Sequence, residues 1–155
     1  MTPEPGLGRG QRFVVYGLAG WCSEVLSTGL RSRGREGNWR LTGTTYLWML
    51  PIYGAGAIGF EPVLQAMRRR GIPLPARVPV WVAGVYLLEA TSGELLRALT
   101  GEVPWDYSRP RGRKPVPSHW RGLVRPAYAP VWGLVGLGFE GLHDLLRRVR
   151  LETAE

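Results

Sequence analysis

A chain of 155 residues is enough for one domain of ordinary size. Its 20 Lys and Arg against 12 Asp and Glu give a net charge of +8, and every basic residue except Lys114 is arginine. These arginines lie between apolar blocks without a recognition motif, which argues against nucleic acid as a partner and for phospholipid headgroups. The mean hydropathy of −0.09 averages the two kinds of segment and hides both. Cys22, the only cysteine, excludes an intrachain disulfide and reads as a packing residue in an apolar run.

The Pro- and Gly-rich residues 1–12 predict a flexible N-terminal segment with no cleavable signal. A first membrane span follows at about 13–30, near the lower limit for crossing about 30 Å of hydrocarbon. Arg12 precedes it and Arg31, Arg33 and Arg35 follow it. The polar stretch 32–44 offers Trp39 as an interfacial anchor. A second span, about 46–67, is interrupted by Pro51 and by Glu61-Pro62, and Arg68, Arg69 and Arg70 stop it. Such breaks survive in membranes where protein or water satisfies the freed carbonyls. A third span, about 78–100, carries Glu89, Glu94 and Arg97, the last two spaced to pair on one helix face. The longest loop then runs through Pro104-Trp-Asp-Tyr-Ser108 and the basic segment RPRGRKP. A fourth span, about 122–146, ends in Arg147, Arg148 and Arg150, and a short tail covers 149–155. The expected fold is therefore all-α, a polytopic membrane bundle of four transmembrane helices over 13–148. No internal sequence repeat is read. Ten basic residues in the first and third loops face nine on the other side, so the positive-inside rule leaves orientation undecided.

Each span carries a glutamate: Glu24, Glu61, Glu89 and Glu140. A carboxylate at membrane depth costs roughly 2.5–3.5 kcal/mol on insertion scales. One in every span points to a shared polar site. Steps of three and four place Gly17, Gly20, Glu24, Ser27 and Arg31 on one face, and likewise Gly54, Ala57 and Glu61. Tyr86, Glu89, Gly93 and Arg97 share another face, as do Gly133, Gly136, Glu140 and His143. Stripes of small residues are where membrane helices pack closely, so the carboxylates are expected to face inward. Four converging carboxylates cannot all be ionised and unpaired. Protons, a bridging cation, or Arg97 and Arg125 would compensate them. The alternative, in which each glutamate is neutral or arginine-paired and only joins helices, stays open. Glu140 and His143 make one Glu-x-x-His step, which di-iron bundles carry twice. No metal or other cofactor is expected on that ground, and His143, near the membrane edge, is expected to be solvated. Phosphate-binding loops and nucleophile elbows are absent from the sequence.

Several elements in fixed order resemble a known family. They are Tyr16, Gly20 and Glu24; Asn38-Trp39; Ile52-Tyr53-Gly54 with Glu61; Glu89, Thr91 and Gly93; Pro104 to Ser108; and Arg121-Gly122, Tyr128, Pro130, Trp132 and Glu140. Over about 13–144 the chain resembles transmembrane protein 229 of animals and the bacterial proteins labelled Putative ABC-transporter type IV, or CmpB-like. The WDYS element is the most specific piece, while the basic insert 109–117 is longer and more charged than the resemblance leads one to expect. The resemblance implies an integral, multi-pass protein of four helices, placed in the inner membrane in a bacterium, and a separate ATPase subunit as partner.

The expected function is a small transporter or permease-like subunit with an intramembrane glutamate site. A membrane-embedded enzyme acting on lipid and a non-catalytic scaffold subunit are the alternatives, and an enzyme is the less favoured class. Candidate binding or transport residues are Glu24, Glu61, Glu89, Glu140, Arg97, Tyr53, Trp105, Asp106, Tyr107 and Arg121. Expected partners are membrane lipid, a cation or proton, and a second copy of the chain, because four helices enclose little space.

Overall fold

The computed structural model describes residues 6–37, 39–108 and 117–149. Among them are four α-helices, one short 3₁₀ turn and no strand: α1 (Arg9–Glu36), α2 (Met49–Arg69), α3 (Leu74–Thr100), the 3₁₀ turn Pro126–Tyr128 and α4 (Ala129–Arg148). The basic segment 109–116 and the end of the tail lie outside the described residues.

Local chemistry sets the helix ends. At the start of α1 the Gly8 N–H donates to the Gln11 side chain at 2.8 Å. Gly37 (φ 62°) and Gly101 (φ 75°) close α1 and α3 in the left-handed conformation, donating to the Arg33 and Arg97 carbonyls. Gly71 closes α2 with a Schellman pair, its own N–H on the Arg68 carbonyl and that of Ile72 on the Met67 carbonyl, both at 3.0 Å. Pro62 sits inside α2 directly after Glu61 and leaves the Ile58 carbonyl without its helical donor.

The helices differ from the expected spans in their bounds, with α1 and α3 starting earlier and α4 later, and in their fitness to cross a membrane. Among the described residues only the segment Arg9–Gly34 of α1 is long and apolar enough to cross a membrane by length and composition, with mean hydropathy 1.2. The other three spans fall short because of their own charge. Helix α2 includes Glu61, Arg68 and Arg69; α3 includes Arg77, Glu89, Glu94 and Arg97; α4 has only 20 residues and ends in Asp144, Arg147 and Arg148.

The chain divides into two compact units, Met1–Pro62 with His143–Glu155, and Val63–Leu142. In the first unit the buried side chains include Tyr16 and Leu146 together with Arg12, Glu61 and His143. In the second they include Leu64, Met67, Trp81, Val85, Leu96, Leu123 and Val124 together with Glu140. Large apolar residues lie on the outside of both. In the first unit Leu26 is 64% exposed and Leu47 80%. In the second Leu99 and Leu134 are each 70% exposed.

Candidate functional site

Two of the glutamates are held by arginine. In the first unit Glu61 receives a two-pronged bond from Arg12, Nε to Oε1 at 2.7 Å and Nη2 to Oε2 at 2.9 Å. Both side chains are under 10% exposed. The fork matches the planar carboxylate, which makes this the strongest kind of side-chain pair. Arg12 also donates to the Leu7 carbonyl at 2.5 Å. Tyr16, one turn along α1, donates to Glu61 at 3.1 Å, and its hydroxyl lies 3.0 Å from His143 Nδ1. His143 is thus buried, not solvated as the sequence suggested, because α4 continues to Arg148 and carries it into this group.

In the second unit Glu140 accepts from Arg77 at 2.6 Å, Arg68 at 3.3 Å and the Trp81 indole at 2.8 Å. Trp81 is fixed by an edge-to-face contact with Phe139. Arg12 and Arg77, which look like flanking charges in the sequence, are therefore the internal cations. Arg97 and Arg125, expected in that role, are engaged elsewhere. Arg97 pairs with Glu94 at 2.9 Å, on the helix face the spacing predicts, and Arg125 stacks on Tyr128 and bonds its hydroxyl.

The remaining two glutamates have neutral partners. Glu24 Oε2 accepts from Thr45 at 2.8 Å and from Tyr53 at 3.0 Å. Glu89 Oε1 accepts from Tyr107 at 3.1 Å. Glu89 Oε2 is enclosed, and the Trp132 indole N–H beside the carboxylate does not close a bond of normal geometry onto it. Both atoms are left without a hydrogen-bond partner. Tyr107, Tyr128 and Trp132 stack edge-to-face in sequence around this carboxylate. Among the described residues no ion pair reaches Glu24 or Glu89. The four carboxylates thus meet different sets of donors, and among the described residues no group of three or more His, Cys, Asp or Glu is arranged to hold a metal.

The WDYS loop shapes the Glu89 group. Asp106 caps the turn, accepting from the Ser108 N–H at 2.9 Å and its hydroxyl at 2.6 Å. The Tyr107 N–H donates to the Gly122 carbonyl at 2.8 Å, which pins Tyr107 where it reaches Glu89. Trp105 is half-buried with its indole nitrogen unpartnered. Arg121 lies at the edge, 3.3 Å from Glu94, with its carbonyl accepting from Arg97.

The family model described as Putative ABC-transporter type IV matches residues 11–151. The chain belongs to that family. The match covers all four helices and all four glutamates, so the ABC-transporter type IV model spans both units. A transport-related role is what that membership supports. No solved structure matches the chain.

The small-residue stripes have a measurable consequence at Gly20. A Cβ there would sit 2.6 Å from Cγ of Tyr53, the ring that holds Glu24. Gly20→Ala is expected to lower stability by roughly 1–3 kcal/mol through overpacking. Thermal unfolding in detergent, compared with Gly10→Ala, whose Cβ meets nothing within 4 Å, checks this.

Proposed function

We propose that this member of the ABC-transporter type IV family is an integral membrane subunit of a transport system. All four helices lie in lipid, and a separate ATPase subunit supplies the energy. The observation that carries the reading is buried, paired charge beneath an exterior rich in large apolar side chains. Arginine–glutamate pairs occupy the interior of each unit, while Leu26, Leu47, Leu99 and Leu134 lie outside. Lipid favours such an exterior, and charges within it are kept only when paired. Charges that would exclude α2, α3 and α4 as isolated spans are spent largely on internal bonds, which is how polar residues are tolerated at depth. The carboxylates without arginine partners, Glu24 and Glu89, are the residues available to a passing solute. Glu61 and Glu140 hold helices together.

Cys22 tests the location that this role requires, because it lies midway along α1 and is exposed. In native membrane vesicles it is expected to resist a water-soluble maleimide and to react after denaturation in dodecyl sulfate. Rapid labelling in native vesicles, or release of the chain by alkaline carbonate, would overturn the membrane reading.

A further inference from the structure

The bonding of the four glutamates follows a repeat that the sequence reading did not find. In α1, Arg12, Tyr16 and Glu24 are spaced by four and then eight residues. In α3, Arg77, Trp81 and Glu89 have the same spacing. Ser27 and Leu30 recur as Ser92 and Leu95. The second helix of each pair agrees better still. Pro51, Tyr53, Gly54, Gly59, Phe60, Glu61, Arg68 and Arg69 recur in register as Pro130, Trp132, Gly133, Gly138, Phe139, Glu140, Arg147 and Arg148.

Contacts inside each unit repeat with the residues. Arg12 and Tyr16 bond Glu61 as Arg77 and Trp81 bond Glu140. Tyr53 bonds Glu24, and its counterpart Trp132 lies beside Glu89. The backbone repeats as well. Leu41 (φ 51°) stands two residues before Gly43, and Trp120 (φ 50°) two residues before Gly122, a conformation that side chains other than glycine rarely adopt. One difference is itself informative. The Thr45 hydroxyl on Glu24 has an aliphatic counterpart, Val124, and the matching hydroxyl on Glu89 comes instead from Tyr107.

We propose that the chain is a duplicated helical hairpin and that Glu24 and Glu89 are its two equivalent binding sites for a monovalent cation, a proton or Na⁺. In each copy the second glutamate is neutralised by an arginine at the repeated position. Among the described residues the first glutamate accepts only from hydroxyl groups, which do not balance a carboxylate's charge. A carboxylate so placed in a low-dielectric setting takes up a cation when one arrives. At Glu89 the bare Oε2 is the atom to receive it. The lipid setting comes from the membrane reading above, whereas the pairing of the sites comes from the repeat.

The test uses the full chain purified in detergent, so its result is independent of Cys22 labelling in membranes. Infrared absorption of protonated carboxyl groups is followed against pH in sodium-free buffer. Thermal stability is followed against NaCl at alkaline pH, with choline chloride as the control for ionic strength. If the ligand is a proton, Glu24→Gln and Glu89→Gln each remove one carboxyl component from the titrating band, and the double variant removes both while the other Asp and Glu still titrate. If it is Na⁺, the sodium-dependent rise in Tm shrinks in each single variant and vanishes in the double. A titrating band undiminished in the double variant, together with a sodium response that survives there or is absent from the wild type, overturns the proposal. Should a glutamine variant fail to fold, Glu24→Asp and Glu89→Asp keep the charge, and an unaltered titration in both would equally overturn it.

Discussion

Arg12→Met is expected to destabilise the folded chain by roughly 3–5 kcal/mol, the cost of leaving a buried carboxylate without its partner. Arg12 and Glu61 are 8% and 5% exposed, so solvent screens neither charge. Tyr16 and His143 remain after the substitution, but a hydroxyl and an imidazole do not replace a two-pronged guanidinium. Arg12→Lys is expected to recover only part of the loss, since a single ammonium cannot reproduce the fork. The double variant Arg12→Met with Glu61→Met is expected to recover most of it, because removing both charges also removes their desolvation cost. Thermal or denaturant unfolding in detergent of the two single variants and the double gives the coupling directly. A double variant no more stable than Arg12→Met would show that the pair contributes through packing and not through charge.

Arg77→Met is expected to cost less, roughly 2–3 kcal/mol, although its bond to Glu140 is the shorter. Glu140 has a second arginine at 3.3 Å, Arg68, whose side chain is 39% exposed. Trp81 continues to donate to the other carboxylate oxygen. The combined variant Arg77→Met with Arg68→Met should fall to the level of Arg12→Met, since Glu140 then stands buried with only an indole donor. Equal losses for Arg77→Met alone and for the combination would mean that Arg68 contributes nothing to Glu140. The same unfolding measurements decide between these outcomes.

Periodicity in the sequence revealed the four helices and the small-residue faces that carry the glutamates. Gly20 against Tyr53 shows why such a face packs closely. The partners were harder to read. An arginine just before an apolar run signals a membrane boundary, and Arg12 reads that way, while Arg77 reads as the end of a short Pro-rich loop. Both helices begin earlier than the apolar run, at Arg9 and Leu74, which places each arginine about one turn inside its helix. Arg12 and Tyr16, like Arg77 and Trp81, are four apart, and that i, i+4 step was the available signal. The repeat escaped for a different reason. Its first helices are offset by 65 positions (12 to 77) and its second by 79 (53 to 132), because the loop bearing Tyr107 lengthens the later copy. A search at constant period loses one helix of each pair, and the exchanges of Tyr16 for Trp81 and Tyr53 for Trp132 keep an aromatic donor while hiding the identity.

The Arg12–Glu61 bond joins the first helix to the second, and the Arg77–Glu140 bond joins the third to the fourth. On the membrane reading this sets the order of assembly at the ribosome. Helix α1 emerges with an arginine and a glutamate that hydrocarbon opposes, at roughly 2.5–3.5 kcal/mol each near the bilayer centre. Its arginine is neutralised only when α2 has been synthesised. The helices would therefore leave the translocon two at a time, each hairpin carrying its own counter-charge. A gene encoding such a self-neutralising hairpin can be doubled without any new ion pair having to evolve.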